Sequence, residues 1–243
     1  MTGLIYILIV LLLLMGCCAV LAFRKFYIVV QPGTALVING MGGSRVSMTS
    51  ALVLPLIQRA ELIDITTKVI EIQRLDGEGL ICLDNLRANA VVRFTLRISP
   101  TEQDVLLVAK SIGCARAGTQ ETLEALFTAK FCEALKTVSK QFAFVDILQN
   151  LERFKTDVIQ TLGLDLNGFM LEDVAIAEFT QTPIDKLNPN NILDAQAIRK
   201  ITEITAAEGI KANALKINSQ KQLCEYAQRN PEIVRHLANY LKN

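Results

Sequence analysis

Hydrophobic and polar positions along this chain change their period several times, and each change marks an element. Residues 1–23 have no period: they hold no Asp, Glu, Lys or Arg, and the run from Leu4 to Phe23 is almost pure hydrocarbon. About 20 helical residues cover the roughly 30 Å apolar core of a bilayer, and in lipid only a helix satisfies its own backbone groups. The expectation is a single N-terminal transmembrane helix, an anchor over residues 1–25 held by Leu4, Leu11, Leu14, Leu21 and Phe23. Arg24 and Lys25 are the first charges. Placed just after the span, they favour a cytoplasmic body with the N-terminus outside. A cleaved secretory signal is the rival, but Met1-Thr2-Gly3 carries no side-chain charge and Ala19 to Ala22 is a poor cleavage site. Leu14-Met15-Gly16-Cys17 is an imperfect lipobox.

From Phe26 to Ile98 the pattern is that of strands and turns. Ile28 to Val30 and Ala35 to Ile38 are short β-branched runs parted by Gln31-Pro32-Gly33. Gly40-Met41-Gly42-Gly43-Ser44 lacks the ending and spacing of a phosphate cradle, so it reads as a strand connection. Leu52 to Ile57 is interrupted by Pro55 and reads as an edge or loop segment. Leu62 to Ile65 and Val69 to Leu75 follow as strands, and Asp76-Gly77-Glu78-Gly79 is a strong turn signal. Between Ala88 and Ile98 apolar residues fall at every second position, which requires a strand buried on one face. Arg93 and Arg97 then point the other way, to solvent or to an ion pair with a neighbouring subunit.

After Pro100 the period becomes 3.6. Thr101 with Asp104 resembles a capping box opening a helix that ends near Gly113. Leu123, Phe127, Phe131, Leu135 and Val138 form the apolar stripe of a second helix, and Ile147, Leu151, Phe154, Val158 and Leu162 that of a third, closed by Gly163. Alternation returns from Phe169 to Phe179. Strands, then helices, then a returning strand describe an α+β domain with packed helices on an antiparallel sheet. Ile192 to Ala227 reads as one long helix, with Ile198, Ile201, Ile204 and Ile210 on its apolar side and a heptad that slips near Gly209. Asn230-Pro231 then opens a short amphipathic helix.

Composition narrows the chemistry. The net charge is +1, so no global field draws nucleic acid. The six cysteines form no C-x-x-C pair and read as small apolar residues in a reducing compartment, with S-acylation of Cys17 or Cys18 as the alternative. The single histidine, His236, cannot build a multi-His metal site. Glu172 and Asp173 are neighbours in sequence and fall on opposite strand faces. No nucleophile–base pair and no ligand cluster stands out. The expectation is a chain with no catalytic residue, no cofactor and no metal.

Several stretches in this order resemble the band 7, or SPFH, family of stomatin, prohibitin and flotillin. They are the N-terminal apolar run leading into Val30-Gln31-Pro32-Gly33-Thr34-Ala35-Leu36-Val37, Leu54-Pro55 before Ile63-Asp64-Ile65, Leu83-Asp84-Asn85 before the alternating strand, and Leu171 to Ile176 before Phe179-Thr180-Gln181-Thr182-Pro183. Leu193-Asp194-Ala195-Gln196 and Lys200 to Ala206 look most like the flotillin branch. The resemblance implies an SPFH domain over residues 26–188, a helical stalk over 189–228 and a short amphipathic helix over 229–243. It also implies a scaffold that organises a membrane microdomain as a ring or cage of copies, most typically at a bacterial inner membrane. This tail is much shorter than a flotillin stalk, so the expected assembly needs only lateral packing of the SPFH bodies.

The expected function is therefore a non-enzymatic oligomeric membrane scaffold. Its partners would be membrane lipid and copies of itself, with Arg93, Arg97, Ile198, Ile201, Ile204 and Ile210 as candidate contacts. A second reading is an accessory regulator of a membrane-bound AAA protease or channel. A distant third is a membrane-tethered hydrolase using Ser44, Ser47 or Ser50, none of which has a Lys or His at a motif spacing.

Overall fold

The computed structural model describes Gly3, residues 9–17, Arg24, residues 26–163 and residues 165–229. The expected transmembrane helix is corrected by it. At the N-terminus helix is described at Gly3, over residues 9–17 (α1) and at Arg24. Among the described residues no helix is long and apolar enough to cross a membrane. Apolar composition marks a candidate span and does not by itself establish one.

The chain divides into two compact units, Met1–Thr182 and Pro183–Asn243. The first holds three antiparallel sheets. Strands β1 (Tyr27–Val29) and β4 (Ser50–Leu52) form a two-stranded ribbon. Strands β2 (Thr34–Gly40), β3 (Gly43–Ser47) and β5 (Gln58–Asp64) form a second sheet in the order β3-β2-β5. Its central run Ala35-Leu36-Val37-Ile38 is buried at every position. A continuous apolar run of this kind belongs to a strand covered on both faces. Leu36 and Ile38 pack with Val30 and Val53, the residues just after β1 and β4, while helices α2 (Glu102–Ser111) and α3 (Cys114–Ala117) pack against the same sheet.

The largest sheet runs β6 (Lys68–Arg74), β8 (Arg87–Ile98), β10 (Phe169–Gln181), β9 (Asp165–Leu166), with β7 (Leu80–Ile81) continuing beside β8. The alternation is realised in full: Ala88, Ala90, Val92, Phe94, Leu96 and Ile98 are all buried. Helices α4 (Gln120–Ser139), α5 (Phe144–Gln149) and α6 (Leu151–Leu162) follow, and α4 packs on α6. Phe131 stacks on Phe94 at 4.3 Å between ring centroids and on Phe127 at 5.7 Å. The third helical stripe is divided in two at Asn150 (φ −135°, ψ 54°). Thr101 caps α2 as its spacing requires, accepting from the Asp104 N–H at 3.2 Å.

The join between the second and third sheets carries a titratable lock. At the end of β5, Asp64 accepts hydrogen bonds from the Thr66 N–H (2.8 Å), the Thr66 hydroxyl (2.6 Å) and Lys68 Nζ (2.7 Å). Burial works against the Asp64 charge, but these donors outweigh it and hold the carboxyl below the ordinary value of 3.8. A carboxyl depressed in the fold adds stability that is complete above its unfolded value and is lost as the pH falls through its folded one. Denaturant midpoints should therefore fall as the pH drops below about 4, and Asp64→Asn should flatten part of that fall.

The second unit contains a short turn at Ile184–Lys186 and helix α7 (Ile192–Arg229). Asp194 in its first turn is buried and accepts from the Asn188 N–H at 3.1 Å. Along the helix Ile204, Ile210, Leu215 and Ile217 are exposed, and Lys211 pairs with Glu208 at 2.7 Å. The expected helix after Asn230 lies outside the described residues.

Candidate functional site

Two turns meet at one end of the β3-β2-β5 sheet, and both present apolar side chains where turns ordinarily carry polar ones. The first joins β2 to β3. Gly40 pairs with Gly43, which leaves only Met41 and Gly42 in the turn. Gly43, the first residue after the turn, adopts φ +97°, a region that glycine enters without steric cost. Met41 stands at the tip, 92% exposed.

The second turn joins β4 to β5. It is closed by the Ile57 and Gln58 N–H groups, which donate to the Leu54 carbonyl at 3.0 and 2.9 Å. Gln58 Oε1 also accepts from the Leu54 N–H at 3.2 Å. This closed loop pushes Leu56 out to 99% exposure, with Leu54 and Ile57 exposed beside it. The two turns touch at their necks. A Cβ on Gly40 would lie 2.8 Å from Gln58 Cγ and 3.1 Å from the Ile57 carbonyl.

The chain enters the body at the same place. The Val53 N–H donates to the Phe26 carbonyl at 2.9 Å, and Tyr27 pairs with Leu52. The apolar sequence from Leu4 to Phe23 thus feeds into the fold next to Leu54, where Tyr27 and Leu52 are also exposed. Single exposed apolar residues are ordinary, but a contiguous group marks a surface that something covers.

Residues picked out by sequence occupy varied positions. Leu11 and Leu14 lie in α1 and are exposed. Arg24 is exposed, and Leu4, Leu21, Phe23 and Lys25 lie outside the described residues. Arg93 and Arg97 share one face of β8, and each has an acidic partner in its own chain. Arg93 Nε donates to Glu71 Oε2 at 2.7 Å. Arg97 Nε lies 2.7 Å from Glu172 Oε1, close but out of line for a hydrogen bond. Ile198 is half-buried, Ile201 buried, and Ile204 and Ile210 exposed on α7. Met41, Leu54, Leu56 and Ile57 did not stand out from the pattern. Their one sequence signal is hydrocarbon inside the turn-forming segments Gly40–Gly43 and Leu54–Ile57.

The chemical groups around this end are quiet ones. Ser47 donates to the Ser50 carbonyl at 2.8 Å, and Tyr27 donates to the Ser50 hydroxyl at 2.8 Å. Burial, with help from Asp84, pushes the Cys82 thiol up to about 12. Burial and nearby Glu61 raise Cys114. Neither is a thiolate at neutral pH, so neither is an activated nucleophile. Glu172 and Asp173 turn to different partners, Arg97 and, at 2.7 Å, Lys155. Among the described residues no group of three or more His, Cys, Asp or Glu could hold a metal ion. His236 lies outside the described residues. An apolar groove of about 430 Å³ between α2, α4 and the β9–β10 turn is lined by Leu107, Ile112, Leu126, Phe127 and Phe169, with Lys130 at its edge.

Comparison with known proteins agrees with this architecture. The model of the SPFH domain / Band 7 family matches residues 18–222. Flotillin family inner membrane protein YqiK of Escherichia coli (strain K12) is 32% identical over 186 residues, which is 75% of this chain and 34% of that protein. Flotillin family inner membrane protein sll1021 of Synechocystis sp. (strain ATCC 27184 / PCC 6803 / Kazusa) is 22% identical over 187 residues, 74% of this chain and 28% of that protein. The chain thus spans about a third of the length of these relatives.

Proposed function

Because this chain belongs to the SPFH (band 7) family, we propose that it is a membrane-associated, self-assembling scaffold without catalytic activity. The observation that carries this reading is the apolar end, where Met41, Leu54, Leu56 and Ile57 stand exposed beside the point at which the apolar N-terminal sequence joins the fold. Water-exposed hydrocarbon costs about 25 cal/mol per Å², and a bilayer surface removes that cost without requiring a shaped pocket. Both relatives are named inner membrane proteins.

Self-assembly is supported by an open strand edge. Strand β10 meets β9 only at Phe169 and Met170. From Leu171 to Gln181 no strand pairs its outer side among the described residues. Other edges are blunted by side chains: Glu102 accepts from the Val46 N–H on β3 at 3.2 Å, and Gln120 donates to the Val69 carbonyl on β6 at 2.8 Å. An edge that no strand covers is a template for another chain, here interrupted by register shifts at Leu171/Asp173 and Ile176/Glu178. On α7, exposed Ile204, Ile210, Leu215 and Ile217 add an apolar helix face. Confinement to a membrane surface raises the effective concentration of copies, and a head-to-tail contact that closes gives a ring.

Blue-native electrophoresis of gently solubilised membranes tests the reading. The expected result is a species of many copies recovered from the membrane fraction. A lone 26.8 kDa species recovered from the soluble fraction would overturn it.

A further inference from the structure

The same end of the fold carries a charge imbalance that its apolar tips alone do not require. Residues 1–60 contain four basic side chains, Arg24, Lys25, Arg45 and Arg59, and no Asp or Glu. All 24 acidic residues of the chain lie from Glu61 onward, together with the other 21 of its 25 basic residues. The segment that builds the apolar end is thus cationic in sequence, with Glu61 beside Arg59 and Glu102 on the Val46 N–H as the acidic side chains that reach its sheet from later in the chain.

Strand register sets the two arginines just behind the tips. Arg45 is two residues past Gly43 and pairs with Ile38. Arg59 is two residues past Ile57 and pairs with Asn39. At roughly 3.3 Å per residue, each α-carbon sits about 7 Å behind the turn it follows. Opposite residues on paired strands share a face, so Arg45 emerges on the side of Ile38 and Arg59 on the side of Asn39. The two side chains flank the sheet from opposite faces. Both are exposed. Arg45 Nη2 reaches the Leu52 carbonyl at 3.4 Å. Arg59 Nε lies 2.9 Å from Glu61 Oε1, in a pair whose arginine is 83% exposed. An exposed pair of this kind holds its members weakly and leaves Arg59 donors for another anion.

Resting on the membrane-facing reading, we infer that this end recognises an anionic lipid surface: Met41 and Leu56 enter the acyl boundary while Arg45 and Arg59 meet phosphate headgroups on either side. The spacing suits the task, because an interfacial element buries its apolar part about 5–10 Å deep, which leaves arginines whose α-carbons lie about 7 Å behind the turns within reach of the headgroups. Arginine forks match phosphate oxygens in bidentate geometry. A free phosphate would gain nothing from the exposed leucine and methionine, and a phosphatidylcholine bilayer, whose phosphates are each offset by a choline cation, would draw the arginines far less than a net anionic one.

The test uses the full chain carrying Leu56→Trp, reconstituted with vesicles of phosphatidylcholine alone or with about a third phosphatidylglycerol, where each basic side chain near the surface contributes appreciably. Quenching of the tryptophan by brominated acyl chains reports how often the tip is inserted. The expected result is insertion on the order of tenfold more favourable on the anionic vesicles, lost in high salt or with Arg45→Glu/Arg59→Glu, and kept with Arg45→Lys/Arg59→Lys. Equal quenching on both vesicles, indifferent to salt and to the charge reversals, would overturn the headgroup inference and leave the membrane-facing end standing. A tryptophan unquenched on either vesicle would overturn both.

Discussion

Replacing Phe131 with alanine should cost about 3–5 kcal/mol, the range for removing a buried aromatic from a core that relaxes only in part. The ring is fully buried, and it stacks on Phe94 of β8 and on Phe127 of its own helix. Stacked pairs add roughly 0.5–1.5 kcal/mol beyond the buried area. A domain is stable by only about 5–15 kcal/mol, so the loss takes a large share of the total. Phe131→Leu keeps most of the volume and should cost under about 1.5 kcal/mol. Leu126→Ala on the same helix removes a half-exposed side chain and should cost less than about 1 kcal/mol. Denaturant midpoints of the three variants check the order. Equal shifts for Phe131→Ala and Leu126→Ala would mean that α4 does not seal the large sheet through this ring.

The elements that sequence made legible are those where burial imposes one clean period. The alternation from Ala88 to Ile98 is β8, because one face of that strand meets helices and the other carries Arg93 and Arg97. The stripe from Leu123 to Val138 is α4 for the matching reason. The break at Asn150 was not legible, since the apolar stripe runs across it without losing phase; only the local backbone departs from the helix. The separation into three sheets was hidden as well, because strand pairing depends on residues distant in sequence. Leu36 meets Leu62 and Ser47, while Phe94 meets Ile70 and Val174.

The candidate site was the least visible part. Hydrophobicity in Leu54-Pro55-Leu56-Ile57 suggests an edge segment, and only the hydrogen bonds that close the turn on Leu54 show Leu56 to be thrust outward. The opposite error arose at the N-terminus, where apolar composition suggested a full span and, among the described residues, no helix is long and apolar enough to cross a membrane. In both places sequence recorded how apolar the residues are. At Leu56 the closed turn decides what the side chain meets.

The chain contains no tryptophan, so Leu56→Trp places a single indole at the outermost point of the apolar end. On the full chain reconstituted with anionic vesicles, its emission should move to the blue and should be quenched by lipids brominated along the acyl chain. Emission that stays at the position of indole in water, untouched by brominated lipid while the chain remains on the vesicles, would contradict a membrane-facing role for this end of the fold.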